Sequence, residues 1–255
     1  MLDLVPHLSP APLPILPLEE PLLAVMDRKN HAAWPCFTRP GLSREALAVH
    51  FRHEFQTYVR DFPMLLARLL GQAPPDDVRA ALAENIFEEQ TGKLSLGVSH
   101  PDLFLEMIDG LGIPRAAIEG RFPALAPEAI AYRAFLDEIS ASPPWVVGAA
   151  VLTIFVEGSV NERADLSGRR VLPPVDEAIA AHPMVAHYGC PPEKLRLVRA
   201  HRAVESGHRR DAWRIVTAHA RGHETAIVRA VNQALTFWLR YRDGVVRAMG
   251  ITIPS

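Results

Sequence analysis

The chain has 255 residues and a formal net charge of −2 at pH 7, and its lysines and arginines are scattered along its length. This charge distribution gives no electrostatic reason to expect binding to nucleic acid or to an anionic membrane surface. Apolar residues make up 49% of the chain and charged residues 22%, which is typical of a soluble globular protein with a sizeable core.

The two cysteines, Cys36 and Cys190, are too few for a disulfide framework or a cysteine-based zinc motif. A reducing cytoplasm is therefore the expected location. Residues 1–17 are rich in proline and lack the basic start of a secretory signal. We expect them to form a tail, followed by one domain over residues 18–255.

Beyond the tail almost every segment has helical periodicity, and none alternates convincingly like a strand. In chain order the predicted helices are Glu19–Trp34, Ser43–Leu70, Pro75–Thr91, Pro101–Gly110, Pro127–Ser140, Pro144–Asn161, Val175–His187, Pro192–His219 and Glu224–Met249. Ser43 is placed to cap the second helix, while Gly71 and Gly110 are placed to end the second and the fourth. The pattern predicts an all-α bundle of seven or more helices in a single domain.

The third and fourth predicted helices carry a first group of polar residues. Glu89 and His100 would approach the same point if the chain breaks at Gly92 and resumes as a helix at Pro101. Taken alone the signal is weak. Glu88 and Glu89 are also typical of a solvated helix face, and a histidine before a proline is typical of an N-cap.

Glu157 follows the most apolar stretch of the chain, Trp145 to Val156. That stretch is shorter than the roughly 20 residues that span a bilayer, and its apolar character on every side predicts a central position in the bundle. A carboxylate at the end of such a helix is costly unless it is paired or bound to a metal. The alternative is that Glu157 reaches the rim and pairs with an arginine such as Arg163.

The eighth predicted helix carries His201, Glu205 and His208 at positions i, i+4 and i+7. These side chains fall within roughly 60° of one helix face, and imidazole and carboxylate groups on one stripe suit a transition metal such as iron. The alternative is an exposed face of solvated side chains. Gly207 disfavours the helix by about 1 kcal/mol, so a bound metal or close packing would have to hold this turn.

Together these groups would supply three carboxylates and three imidazoles from separate helices to one point in the core. Three carboxylates balance most of the charge of two ferrous ions, and six protein ligands leave coordination positions open. Ferritin-like bundles use two Glu-x-x-His pairs for the same purpose. Here only Glu205 and His208 match that pair at the proposed site, which disfavours a ferritin-like architecture.

Three motifs resemble those of the haem-oxygenase-like di-iron oxidases, which share a fold with the TenA thiaminases and the pyrroloquinoline-quinone synthase PqqC. The resemblance runs from about His31 to Met249. The motifs are N-x-x-E-E-x-x-G followed by S-H-x-x-L-F (Asn85 to Phe104), V-E-G-S around Glu157, and H-x3-E-x2-H from His201.

The resemblance implies a haem-oxygenase-like bundle whose core helices bind two iron ions. Carried over position by position, the metal ligands are Glu89, His100, Glu157, His201, Glu205 and His208. Glu157 and Glu205 are the carboxylates expected to serve catalysis, with Glu157 the bridging ligand because it comes from the most central helix. Two departures from the family pattern stand out. Glu205 replaces an aspartate, and the spacing from Glu89 to His100 is about one residue longer than usual, so Glu88 remains a rival ligand.

The resemblance further implies an oxidoreductase that takes O2 as co-substrate and an external electron donor. The small-molecule substrate would be an amine or an amino-acid-like compound, and N-oxygenation to a hydroxylamine or nitro group is the preferred reaction. The alternatives are oxidative C–C cleavage or decarboxylation of an amino or fatty acid, a PqqC-like oxidation without a cofactor, and a metal-free helical interaction module. A homodimer is compatible with the fold. Tyr58, Arg60, Tyr132, Phe155 and Tyr188 are candidates for the pocket wall.

Overall fold

The computed structural model describes residues 18–121 and 123–252, with all their side chains except those of residues 204–206 and 208. Within these ranges the chain forms helices and no strand, which confirms the all-α prediction.

The α-helices are α1 (Glu19–Met26), α2 (Trp34–Thr38), α3 (Arg44–Glu54), α4 (Phe62–Leu70), α5 (Asp76–Thr91), α6 (His100–Gly110), α7 (Arg115–Glu119), α8 (Pro127–Ala141), α9 (Trp145–Ala149), α10 (Glu162–Leu166), α11 (Val175–Ala180), α12 (Pro183–Ala186), α13 (Arg196–His219) and α14 (Glu224–Ala248). A first π-helix, Phe55–Val59, continues α3, and a second, Ala150–Val156, continues α9. A 3₁₀ turn, Pro192–Lys194, precedes α13.

Several helices predicted as continuous are broken. The segment 43–70 passes from α3 into the first π-helix and restarts as α4, whose first turn contains Pro63. Proline has no N–H to donate to the preceding turn, so an uninterrupted α-helix is disfavoured there. In the segment 144–161 the helix ends at Val156, and in the segment 19–34 the first helix ends at Met26. The short helix α7 was not predicted.

Side chains and glycine fix the helix ends nearest the predicted ligands. Ser43 accepts a hydrogen bond from the backbone N–H of Ala46 and caps α3, as predicted. Ser99 accepts one from the N–H of Asp102 and caps α6, so the alternative of His100 as the cap is wrong. Gly92 ends α5 with a φ of 61°, a left-handed conformation that glycine adopts without strain.

The buried apolar residues form two large clusters. The first is built mainly from α1, α4, α8, α9, the second π-helix and α14, and includes Leu66, Tyr132 and Phe155. The second is built around α3 and α6 and includes Phe51 and Phe104. Residues Ala150–Phe155 of the second π-helix are buried, which confirms the expected central position of that stretch.

Helix α13 packs against α6 and against the second π-helix. This arrangement brings three segments that are far apart in sequence to one side of the core. Among the residues that the structure describes, no helix is both long enough and apolar enough to cross a bilayer.

Candidate metal centre

Four of the six predicted ligands line one cavity of about 200 Å³. Glu89 comes from the end of α5, His100 from the start of α6, Glu157 from the residue after the second π-helix, and His201 from α13. These four groups lie on four different segments of the chain. Their convergence therefore depends on tertiary packing.

Apolar side chains from both core clusters complete the cavity wall. Phe62 belongs to the first cluster and Phe104 to the second, while Val59 and Leu197 pack against the second. The cavity thus lies at the junction of the two clusters, where polar groups are surrounded by apolar walls. Charged groups interact strongly in such surroundings because little water screens them.

His100 lies between two carboxylates. Its Nε2 is 3.3 Å from Glu88 Oε1, within a hydrogen bond, and its Nδ1 is 2.9 Å from Glu89 Oε1. No described group forms an aligned hydrogen bond with Nδ1, although that atom is buried. Burial alone would lower the pKa of His100, but the carboxylates of Glu89 and Glu88 outweigh it and raise the pKa.

Glu88 and Glu89 therefore have different surroundings, which bear on the rivalry between them. Glu88 is fully buried and accepts hydrogen bonds from the N–H of Leu94 (2.7 Å) and from the hydroxyl of Ser95. Its burial would raise its pKa, but the hydrogen bonds from Ser95, Leu94 and His100 hold it below the ordinary value. Glu89 lines the cavity instead. The arrangement resembles a metal-binding histidine whose second nitrogen is held by a carboxylate.

Glu157 is half-buried and lines the cavity. Its Oε1 accepts a hydrogen bond of 2.9 Å from Asn85 Nδ2. Arg163, the alternative partner considered from the sequence, forms ion pairs with Glu20 and Asp27. The pairing of Glu157 with Arg163 is therefore wrong.

His201 is half-buried beside His100, with 5.1 Å between the two ring centroids. Burial, reinforced by the neighbouring His100, lowers the pKa of His201 to about 4. The imidazole is consequently neutral near pH 7, the form that binds a metal ion.

Arg209, which the sequence analysis did not single out, also lines the cavity. Its guanidinium lies 3.3 Å from Glu162 Oε1 and 2.6 Å from Asp165 Oδ2, and Glu162 is fully buried. Nothing in the sequence spacing connects α10 with α13, so this ion-pair network could not be predicted.

Glu205 and His208 lie on α13, but their side chains fall outside the described residues. Among the side chains that are described, no three His, Cys, Asp or Glu groups are close enough to hold a metal ion. The donors that do meet in the cavity are two carboxylates and two imidazoles. This donor set fits iron. The buried Nδ1 of His100 lies 2.9 Å from Glu89 Oε1, a separation expected of two ligands on one metal ion.

Some of the predicted pocket-wall residues line a cavity and others do not. Tyr58 lines this cavity and Tyr132 lines a neighbouring one. Arg60 instead pairs with Asp61, and the hydroxyl of Tyr188 donates to the carbonyl of Arg39. Isolated aromatic and basic residues carry no sequence signal that would separate wall positions from surface positions.

A family model described as an iron-containing redox enzyme matches residues 49–239. Among solved structures, the chain is similar to a TenA homologue from Pseudomonas syringae pv. tomato str. DC3000, with 14% identity, 89% of each chain covered and a TM-score of 0.59. It is also similar to a domain of unknown function with a heme oxygenase-like fold from Shewanella denitrificans OS217. There the identity is 14%, the coverage is 91% of this chain and 88% of the other, and the TM-score is 0.62. These likenesses confirm the predicted fold. No curated protein matches the chain.

Proposed function

The chain belongs to the iron-containing redox enzymes, and from this premise we propose that it is an O2-dependent di-iron oxidase of a small metabolite. The reaction that we propose is N-oxygenation of an amine, with an external electron donor. The observation that carries the proposal is the convergence of Glu89, His100, Glu157 and His201 on one cavity.

These four residues would hold the iron together with Glu205 and His208 from α13. Ferrous iron bound there would supply the redox chemistry that O2 activation needs. Neighbouring residues orient the ligands. Glu88 accepts from Nε2 of His100, so that Nδ1 faces the cavity. Asn85 donates to Glu157 and fixes its carboxylate. Such supporting groups usually change metal affinity by about 10- to 100-fold when they are removed.

The cavity also favours a small substrate held away from water. Its volume of about 200 Å³ lies below the usual range of pockets for drug-sized ligands. Apolar groups from Val59, Phe62 and Phe104 would contact the carbon skeleton.

Iron content tests the metal proposal. Protein loaded anaerobically with ferrous salt and desalted should retain close to two iron ions per chain. Glu157→Gln and His201→Ala should retain much less, because each removes a ligand from the cavity. Glu119→Gln and His187→Ala, both at exposed positions, are matched controls and should retain the wild-type amount. Wild-type protein without bound iron would overturn the proposal and favour a metal-free interaction module.

Oxygen consumption separates the proposed reaction from its alternatives. The ferrous protein should consume O2 faster with a small primary amine than with the carboxylic acid of the same skeleton, and mass spectrometry should detect a hydroxylamine or nitro product. Loss of CO2 or release of an alkene from an acid would instead establish oxidative cleavage. Full activity after iron removal by a chelator would point to oxidation without a cofactor.

A further inference from the structure

A second cavity, of about 280 Å³, adjoins the metal cavity. Tyr58 and Val156 line both cavities and form the wall between them. The other lining residues of the second cavity include the aromatic and basic Trp34, Trp238 and Arg242 as well as the polar Asn30, Ser159 and Asn161. Of the described residues that line it, none is a carboxylate.

Lys29 and Arg242 bring positive charge to this cavity, but in different ways. Lys29 Nζ donates to the carbonyls of Phe155 (2.5 Å), Val156 (3.2 Å) and Gly158 (2.6 Å), so its three N–H groups are used. Burial lowers the pKa of Lys29 to about 7. Arg242 therefore carries the lasting positive charge near pH 7.

Arg242 is 5% exposed and is held rigidly. Its Nη1 donates to Glu54, and its guanidinium carbon lies 5.0 Å from the ring centre of Trp238. The oxygens of Glu54 are also used by the hydroxyls of Tyr241 (2.8 Å) and Tyr58. The position of the guanidinium is thus set by Glu54, which does not line the cavity, and by Trp238, which does.

Not every N–H group of Arg242 has a partner among the described residues. Its Nε is buried and forms no hydrogen bond with any described residue. An unsatisfied N–H of a buried charged group is costly, and a carboxylate is the acceptor that a guanidinium matches best. Trp34 and Trp238 offer flat apolar surfaces beside it.

We propose that the second cavity binds the carboxylate of a small organic acid at Arg242, with the apolar body of the acid against Trp34 and Trp238. The shared wall of Tyr58 and Val156 would place the other end of such an acid next to the metal cavity. That last step rests on the proposed function and makes the substrate an amine that also bears a carboxylate. Binding of the acid itself does not depend on iron.

Titration of iron-free protein with 3-phenylpropionate tests this site. The control ligand is 3-phenylpropan-1-ol, which has the same skeleton without the charge. Calorimetry and tryptophan fluorescence should show saturable binding of the acid, and binding of the alcohol weaker by at least about tenfold, since the charge-assisted hydrogen bond is lost. Equal affinity for both ligands, or no binding of the acid, would overturn the proposal.

Variants locate the binding. Arg242→Gln should weaken acid binding by at least about tenfold and leave alcohol binding unchanged, whereas Arg115→Gln, an exposed control, should behave like wild type. Because Arg242→Gln leaves Glu54 buried without its cation, the double variant Glu54→Gln/Arg242→Gln removes both charges and should show the same loss. Wild-type affinity in the folded double variant would contradict the assignment. Iron uptake is measured separately, so either proposal can fail while the other stands.

Discussion

The carboxylate of Glu88 is completely buried and accepts hydrogen bonds from the Leu94 N–H, the Ser95 hydroxyl and His100. It lies next to the cavity without lining it. Its function in our proposal is to hold the imidazole of His100 in one orientation.

We expect Glu88→Gln to weaken ferrous iron binding by about 10- to 100-fold, because an amide cannot accept from all three of these donors at once. Competition with a chelator of known affinity measures the change. The matched control is Glu84→Gln, at an exposed position of the same helix, which should bind iron like wild type. Equal affinity in both variants would show that Glu88 has no part in positioning His100.

His50 is buried against Phe37, with 4.5 Å between the ring centroids, and burial lowers its pKa from 6.5 to about 4. The unfolded chain takes up a proton at this residue near pH 6.5, whereas the folded chain does not until about pH 4. The stability due to neutral His50 is therefore complete above pH 6.5 and is lost as the pH falls toward 4.

Between pH 7 and pH 4.5, the free energy of unfolding of wild type should fall by about 2 kcal/mol more than that of His50→Phe. Urea unfolding at the two pH values measures the difference. His187→Phe, at an exposed position, should retain the wild-type pH dependence. The explanation fails if His50→Phe loses stability with pH as steeply as wild type.

At the scale of the element, two helical glycines differ in their surroundings. A Cβ at Gly148 in α9 would lie 2.6 Å from the carbonyl oxygen of Ile139 and 2.6 Å from Leu69 Cδ2. A Cβ at Gly207 in α13 would meet no described atom within 4 Å. Gly148 thus permits α9 to approach the end of α8, while the described atoms give no such packing reason for Gly207.

Alanine at the two positions should have opposite effects. Gly148→Ala should lower the free energy of unfolding by about 1–3 kcal/mol through overpacking. Gly207→Ala should raise it by up to about 1 kcal/mol through helix propensity. Urea unfolding of the two variants in parallel measures both changes. Destabilisation by Gly207→Ala would reveal a close contact at that turn.

The helices themselves were largely predictable, because apolar periodicity, the Ser43 cap and the prolines are local signals. The two π-helices were not, since a turn with one extra residue leaves no distinct pattern in the sequence. The sequence likewise gives no sign of which of Glu88 and Glu89 lines the cavity. The orientation of the two side chains depends on the loop after Gly92. The backbone of this loop packs against Gly92 so closely that a Cβ at position 92 would lie 2.0 Å from the carbonyl oxygen of Val98.

At the scale of the whole molecule, the predicted metal ligands that line the cavity come from α5, α6, α13 and the residue after the second π-helix. A metal ion bound there would join segments that the unfolded chain holds far apart. Binding to the folded state alone would stabilise the entire bundle.

Free ferrous iron at 100 times its dissociation constant should raise the free energy of unfolding by about 2.7 kcal/mol for each of the two proposed ions, or about 5 kcal/mol in all. Anaerobic urea unfolding with and without iron measures this shift. Glu157→Gln should show little of it at the same iron concentration, whereas Glu119→Gln should show all of it. An equal shift in both variants would place the iron elsewhere in the chain.

The second π-helix, Ala150–Val156, ends one residue before Glu157. Deletion of a single residue within it would restore ordinary α-helical register and rotate the next residues of the chain by about 100°. The carboxylate would then be preserved in the chain but turned away from its partners. A descendant with that deletion would retain a recognisable family sequence, yet the cavity would lack one of its proposed metal ligands, and an alignment that merely checks for the glutamate would miss the loss.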